Sequence, residues 1–199
     1  MSQDDETIRV YSAEADRYAK VFTPPENDPA LMAFLESLSP NSALLDLGCG
    51  PGFAAAYMAK AGHSVTATDA TPEMVEMAAA HPGVTAELAT FDDISGTDIY
   101  DGIWANFCLL HAPRADLPKH LSALSKALKP RGLFHIGMKT GAGEKRDSIG
   151  RLYTYVTEDE LRGLLRDAGL TSLDSHTGAD PGLDGTVAPW VTMLARADA

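Results

Sequence analysis

The stretch Leu44–Gly52, with the sequence LLDLGCGPG, decides the fold of this chain. Its apolar start predicts a short β-strand, and the Ala-rich residues from about Phe53 predict a helix directly after it. Glycines at 48, 50 and 52 can adopt positive φ angles, and without Cβ atoms they let a ligand approach the main chain. A glycine-rich loop between a strand and a helix therefore predicts a nucleotide or nucleoside site.

Three details of this turn narrow the kind of nucleoside. The third glycine follows the second after one residue, whereas the dinucleotide pattern GxGxxG needs glycine where Phe53 stands. Asp46 lies two residues before the turn, where its negative charge opposes a pyrophosphate and suits a cation. Pro51 removes a backbone N–H donor that a phosphate would use. The turn therefore favours a positively charged ligand without phosphate.

The sequence Asp46–Gly52 resembles the first motif of the class I S-adenosylmethionine (SAM)-dependent methyltransferases. The resemblance implies SAM as cofactor and S-adenosylhomocysteine as product. SAM has no phosphate and carries a positive sulfonium and an α-amino group, in agreement with the charge of the turn. The resemblance also implies that Asp46, Gly48, Cys49 and Gly50 bind the cofactor.

Length and composition are those of one globular domain. A chain of 199 residues, 45% of them hydrophobic and 22% charged, can bury roughly 70% of the surface that its unfolded form exposes. We expect residues 1–40 to form a helical lead-in that covers the cofactor. Residues 41–199 are expected to form the SAM-binding domain.

Charge and cysteine content limit the partners and the compartment. A formal net charge of −12 disfavours a DNA or RNA partner. No apolar run approaches the ~20 residues of a membrane span, and the polar start has no signal-peptide core, so we expect no membrane partner. Cys49 and Cys108 form no CxxC motif, which predicts a reduced, cytoplasmic setting. The histidines show no paired spacing, and we expect no metal.

Asp69 is the candidate ligand of the ribose. It follows a predicted strand over residues 64–68 and lies twenty-one residues after Gly48, the distance at which an acidic residue meets a ribose diol in a βαβ unit. The alternative is a helix-capping role. By the family resemblance, Ala70 and Met74 are candidates to contact the adenine, although a methionine at helical spacing is also typical of a core.

Asp92 is the candidate for reading the adenine amine. It follows a predicted third strand over residues 84–88, at the position where the family carries an acid that accepts from the exocyclic amine. This role is implied by the resemblance. The alternative is a solvated turn.

The predicted fourth strand, Tyr100–Asn106, ends in the sequence NFCLLH. Ligands of open α/β sheets bind beyond the carboxyl ends of the strands, which places Asn106 near the methionine part of the cofactor and Phe107 to His111 opposite the reacting methyl. His111 can titrate near neutral pH and is the candidate general base. The alternative for His111 is a structural hydrogen bond.

The lead-in is predicted to be helical over residues 12–22, and Asp28 and Pro29 are predicted to begin a second helix as N-cap and first residue. The Tyr11 and Tyr18 pair resembles the N-terminal segment that covers the cofactor in small-molecule methyltransferases. The alternative is that these tyrosines only anchor the lead-in to the domain.

The C-terminal third completes the predicted fold. The junction Leu128–Phe134 resembles the family's link from the fourth helix to the fifth strand, with a turn at 130–132. The mixed-charge segment 139–151 is either a solvated loop or a place for an anionic acceptor. Predicted strands over 171–175 and 188–195 have a short link, so the last strand must run antiparallel. The chain is predicted to be an α/β, Rossmann-like, seven-stranded, mostly parallel sheet with helices on both faces.

These patterns predict a SAM-dependent methyltransferase that acts on a small molecule by in-line displacement. One alternative is an NAD(P)-binding oxidoreductase, which shares the βαβ unit and Asp69 but needs the missing glycine. The other is a non-catalytic SAM-binding module, which we expect to carry a damaged glycine turn. The atom that is methylated and the oligomeric state stay open.

Overall fold

The structure, a computed structural model, describes residues 4–20 and 24–199. The strands are β1 Ala43–Leu47, β2 Ser64–Asp69, β3 Val84–Leu88, β4 Tyr100–Asn106, β5 Leu128–Lys139, β6 Glu144–Arg146, β7 Leu152–Thr154, β8 Leu170–Pro181 and β9 Val187–Ala197. The helices are α1 Asp5–Ala13, α2 Ala15–Tyr18, α3 Pro29–Glu36, α4 Phe53–Lys60, α5 Pro72–Ala79, α6 Leu117–Ala127 and α7 Glu158–Asp167.

Seven strands form one sheet in the order β3-β2-β1-β4-β5-β9-β8. The pairs among β3, β2, β1, β4 and β5 are parallel, whereas β9 runs antiparallel to both β5 and β8. The predicted fold class is confirmed. The antiparallel last strand follows from its link, because Gly182 N donates to Thr186 O at 2.9 Å in a tight turn that only a hairpin can use.

Helices cover both faces of the sheet because β1 is apolar on both sides. Leu45 and Leu47 pack in one cluster with the buried side of α6, while Leu44 packs on the other face with Phe34 and Met58. Strand order reverses between β1 and β4, so their carboxyl ends leave a crevice. In the described part of the chain, every helix is too short or too polar to cross a bilayer.

The lead-in differs from the prediction at its start. Helix α1 begins at Asp5, earlier than the predicted residue 12, because Asp4 Oδ1 accepts from Thr7 N at 2.8 Å and caps it. The helix breaks at Glu14, and α2 follows. The predicted end at Phe22 lies outside the described residues. The cap at Asp28 is confirmed, since its Oδ1 accepts from Ala30 N at 2.9 Å.

Two other boundaries were wrong. The predicted turn at 130–132 lies within β5, where Arg131 takes a φ of 64° and the register with β4 shifts. The predicted loop 139–151 contains β6, which pairs with β7 in a separate two-stranded sheet. In both places pairing with another strand supplies the backbone hydrogen bonds, since β5 pairs with β4 and β9, and β6 pairs with β7, the next strand in the chain. The sequence of one strand alone does not show such pairing.

Candidate active site

A cleft of about 840 Å³, counting the space open to solvent at its mouth, lies beyond the carboxyl ends of β1, β2, β3 and β4. Helices α1 and α2 lie over it. The residues that line it are Asp4, Thr7, Ile8, Tyr11, Tyr18, Leu47, Gly48, Gly50, Asp69, Ala70, Thr71, Met74, Ala89, Thr90, Phe91, Asn106, Phe107, Cys108 and His111. Its position is the one that the strand order predicts for a ligand.

The glycine turn forms the floor of the cleft. Gly48 has a φ of 62°, and a Cβ atom there would lie 2.3 Å from Cys108 Cβ. Gly50 has a φ of 52°, and a Cβ atom there would lie 3.3 Å from the ring of Tyr18. Cys49 is buried beside the lining and anchors the turn, since its N donates to Thr68 O at 2.9 Å. The turn therefore needs glycine for its backbone angles and for the space around it.

Asp69 ties the glycine turn to the end of β2. Its Oδ2 accepts from Gly50 N at 2.9 Å, and its Oδ1 accepts from Thr71 N at 2.8 Å. Burial raises the pKa of this carboxyl, and the backbone N–H groups act against that rise. The bond to Thr71 N closes a turn just before α5, whose N-cap is Thr71, so Asp69 does not itself cap the helix. Because each carboxylate oxygen can accept more than one hydrogen bond, Asp69 also stays able to bind a ribose in the cleft that it lines.

Asp46 lies behind the lining, at the end of β1. Its side chain is 3% exposed, and Oδ2 has no hydrogen-bond partner among the described residues. Burial raises the pKa of the Asp46 carboxyl to about 7, although the backbone of Ala55 donates to it. A buried carboxyl without a full set of partners is a place where a cation can be stabilised.

The residues predicted to meet adenine fall in two places. Ala70 and Met74 line the cleft, and Met74 is also part of the buried interior. Asp92 does not line it in this structure, because its Oδ1 accepts from Lys119 Nζ at 2.5 Å. Its neighbour Phe91 does line the cleft, so the adenine role of Asp92 stays a prediction.

The end of β4 is held by β5. His135 Nε2 donates to Asn106 Oδ1 at 3.0 Å, and its ring stacks on Trp104 with centroids 3.7 Å apart. Burial lowers the pKa of His135 to about 3, so the ring is neutral and keeps this bond. Phe107 has a φ of 56°, which is strained for a residue with a side chain. These contacts fix the direction in which Asn106 and Phe107 face the cleft.

At the far end of the cleft, Tyr11 and His111 are in direct contact. Tyr11 Oη lies 2.8 Å from His111 Nε2, and His111 Nδ1 lies 2.6 Å from Leu152 O. Arg151 Nη1 donates to Tyr11 Oη at 2.9 Å. Burial lowers the pKa of His111 to about 4, so its imidazole is neutral at pH 7. The rings of the two predicted tyrosines pack edge to face with centroids 5.4 Å apart, and Tyr18 lies above the glycine turn while Tyr11 contacts His111.

Arg151 is a member of this hydrogen-bonded group that the sequence did not single out. It lies at the end of the segment interpreted as a mixed-charge loop, yet it is 2% exposed and paired with Asp147. No local pattern distinguishes it from the exposed cations before it. Its role depends on contacts with Tyr11, which is 140 residues away in sequence.

The residues of the cleft fit a cationic nucleoside. The turn offers close backbone approach, Asp69 offers acceptors for hydroxyls, and the buried Asp46 oxygen offers negative charge. Two carboxyls so near the turn would repel a pyrophosphate. This donor set fits SAM better than a dinucleotide.

Comparison with known proteins agrees with this fit. A family model described as a methyltransferase domain matches residues 44–132. The structure is similar to that of Burkholderia thailandensis 1,6-didemethyltoxoflavin-N1-methyltransferase with bound 1,6-didemethyltoxoflavin and S-adenosylhomocysteine, with a TM-score of 0.78 and 28% identity over 98% of this chain and 87% of that one. These matches support a class I SAM-dependent methyltransferase with SAM as its cofactor.

One curated relative and one further solved structure show the extent of the similarity in sequence and in fold. It is 29% identical over 172 residues to a ubiquinone biosynthesis O-methyltransferase of Methylobacterium nodulans, which covers 74% of this chain and 66% of the relative. The cyclase SpnF has a TM-score of 0.77 at 17% identity, covering 100% of this chain and 98% of that one, a likeness that shows the fold alone. The methyltransferase spans two thirds or less of the length of the curated relatives that it matches, at 66% and 47% of two of them.

Proposed function

We propose that this methyltransferase binds SAM at the glycine turn and transfers the methyl group to a small-molecule acceptor held beside Tyr11 and His111. The observation that carries the proposal is a single cleft lined both by the glycine turn and by the half-buried, hydrogen-bonded pair of Tyr11 and His111.

The chain's own residues would divide the work of binding. Asp69 would accept from the ribose hydroxyls, and Ala70 and Met74 would pack on the adenine with Asp92 near its amine. Gly48, Cys49 and Gly50 would present backbone to the cofactor, while Asp46 and Asn106 would face its methionine part with Phe107. Tyr18 would cover it from above. When bound, SAM supplies an electrophilic methyl group on a sulfonium.

The support for a small acceptor is the cover over the cleft. Helix α1 is tied to the opposite wall, because Leu152 N donates to Thr7 Oγ1 at 2.8 Å and Arg146 pairs with Asp4 at 2.7 Å. The net charge of −12 opposes binding of a nucleic acid. Holding two reactants in line lowers the activation barrier of a reaction by about 7–11 kcal/mol. The side chains therefore need to do little more than orient the acceptor and take up its proton.

A thermal-shift experiment tests the cofactor. SAM at a hundred times its dissociation constant should stabilise the protein by about 2.7 kcal/mol, and NAD at the same concentration should not. Release of S-adenosylhomocysteine with a panel of metabolites then separates an enzyme from a non-catalytic SAM-binding module. Stabilisation by NAD alone would contradict the proposal.

The ribose role of Asp69 is tested by substitution. Asp69→Ala should weaken SAM binding by about 1.5–3 kcal/mol in calorimetry, because hydrogen bonds to a charged acceptor are lost. Asp167→Ala, on the exposed side of α7 where its partner is Arg166, is the matched control and should leave affinity unchanged. Equal affinities for the two variants would remove Asp69 from the ribose site.

A further inference from the structure

The hydroxyl of Tyr11 occupies a position between a hydrogen-bond acceptor and a hydrogen-bond donor. Leu152 O can only accept, so His111 Nδ1 carries the proton and donates to it at 2.6 Å. His111 Nε2 is therefore an acceptor, and Tyr11 Oη donates to it at 2.8 Å. A guanidinium has no acceptor, so Arg151 Nη1 donates to Tyr11 Oη at 2.9 Å.

This arrangement leaves Tyr11 one way to bind a ligand. A phenolic oxygen has one proton and two lone pairs. The proton points to His111 and one lone pair receives Arg151, so the remaining lone pair can only accept. Because Tyr11 lines the cleft, its partner there must be a donor, an O–H or N–H group.

The charges around this group select a neutral ligand. Arg151 is 2% exposed and lies 5.3 Å and 5.1 Å from the ring centroids of Tyr11 and Tyr153. Asp147 pairs with Arg151 at 2.8 Å, but Lys139 adds a second cation 4.2 Å from the Tyr153 ring. Asp184 interacts with both cations, so two cations and two carboxylates leave this cluster without a net charge, which suits a neutral ligand. The Arg151 guanidinium, which donates to Tyr11 Oη, stabilises negative charge that develops on a hydroxyl oxygen bound there.

We propose that Tyr11 is the catalytic residue that receives the acceptor's proton, with His111 as the base behind it, and that the acceptor is a neutral molecule with an O–H or N–H at the atom that is methylated. This inference rests on the proposed function and names its substrate class. His111 acts through Tyr11, and Arg151 positions Tyr11.

The step balances without a further reactant. The acceptor's proton passes to Tyr11 Oη as the proton already on Oη passes to His111 Nε2. The bond from the acceptor atom to the methyl carbon forms as the S–CH₃ bond breaks, and the electron pair of that bond stays on sulfur. His111 then carries one positive charge, which equals the charge lost from sulfur, and it returns the proton to water after product leaves.

Tyr11→Phe is the first test, because it removes only the hydroxyl. We expect kcat to fall 100-fold or more, in line with a lost proton transfer, while the dissociation constant for SAM stays within threefold. Tyr57→Phe is the matched control, since Tyr57 Oη donates to Met32 Sδ outside the cleft, and it should keep full kcat. A Tyr11→Phe variant that keeps a third or more of kcat would overturn the proposal.

The acceptor class is tested with a panel of phenols, alcohols, N–H heterocycles and primary alkylammonium compounds, by release of S-adenosylhomocysteine from the full chain. Turnover should appear with neutral O–H or N–H compounds. Turnover with the ammonium compounds alone would overturn the proposed acceptor class. So would the absence of turnover with every neutral compound in a protein that binds SAM. Failure of SAM to bind in calorimetry would instead contradict the proposed function, so the two failures are distinguishable.

The pH profile at saturating SAM distinguishes a relay from a structural role. The groups around His111 are Tyr11 from α1, Lys139 from β5, Asp147 and Arg151 before β7, and Tyr153 within it. Because burial lowers the pKa of His111 to about 4, kcat should be flat from pH 5.5 to 7.5. Arg151→Lys keeps a charged hydrogen-bond donor for Tyr11, whereas Arg151→Met does not. We expect a higher kcat for Arg151→Lys than for Arg151→Met when the two variants have the same melting temperature. A kcat that falls tenfold below pH 6.5, or equal kcat for the two Arg151 variants, would overturn the relay.

Discussion

The two ends of the cleft are built in different ways. At the cofactor end, Gly48, Gly50 and Asp69 belong to one βαβ unit, and their main bond joins residues 19 apart. At the acceptor end, Tyr11, His111 and Arg151 come from three segments, with bonds across 100 and 140 residues. The first end uses backbone geometry, and the second uses the buried Arg151 with the half-buried Tyr11 and His111. In the proposed function, cofactor binding is therefore a local property of this chain, and acceptor recognition is a property of its tertiary structure.

The cyclase SpnF shows that two proteins with this fold can differ in their reaction. It shares this fold at a TM-score of 0.77, yet it is a [4+2]-cyclase. The fold alone therefore does not decide the reaction. In the function proposed here, Tyr11, His111 and Arg151 select the reaction.

The largest expected effect concerns the acceptor end. Asp147 Oδ2 accepts from Arg151 Nε at 2.9 Å, and Oδ1 accepts from Arg151 N at 2.9 Å, with side chains 8% and 2% exposed. Asp147→Ala leaves a buried guanidinium without its carboxylate and should cost about 3–5 kcal/mol of unfolding free energy. Urea denaturation measures the loss.

Asp174→Ala is the control for that variant. Asp174 faces His176 in an exposed pair, so its removal should change the unfolding free energy by less than about 0.5 kcal/mol. SAM affinity of the folded Asp147→Ala protein should stay close to that of the wild type. A tenfold loss of SAM affinity would show that the two ends are not independent.

The next effect concerns the cofactor end. Gly48→Ala forces a side chain into a φ of 62° and places Cβ 2.3 Å from Cys108 Cβ. The backbone and packing costs together should destabilise the fold by about 2–4 kcal/mol and abolish stabilisation by SAM. Gly62→Ala, with a φ of 97° and open space around its Cβ, isolates the backbone cost at about 1 kcal/mol. Equal melting temperatures for the two variants would contradict the close approach at Gly48.

The smallest expected effect is the pH dependence of SAM affinity at the cofactor end. The pKa of Asp46 is about 7 because the carboxyl is buried, and a bound cation favours its ionised form. Below pH 7 SAM must displace a proton, so affinity should fall by up to tenfold, about 1.4 kcal/mol, per pH unit, and level off above pH 7. Calorimetry in buffers of different ionisation enthalpy measures the released proton. Asp46→Asn should bind more weakly without this pH dependence, and a flat wild-type profile would remove Asp46 from the cofactor site.

Elements with a local signal were predicted well. β3 and β4 have the predicted bounds, and α3 has the predicted N-cap at Asp28. These elements follow from hydrophobic period and cap chemistry, which act over a few residues. The start of α1 was not predicted because no apolar run follows the N-cap residue Asp4 in the sequence. The bulge at Arg131 was not predicted because it arises from the pairing of β5 with β4.

The sequence by itself determined the doubly wound sheet, the glycine turn and the acids beside it, because strand period, turn glycines and short links act through neighbouring residues. Only the tertiary structure decided that Arg151 is buried, that Tyr11 and Tyr18 have different partners, and that Asp92 pairs with Lys119. Those outcomes depend on which side chains meet after folding. Burial then sets their charge state, since a buried group is stabilised only by the partners that the fold brings to it.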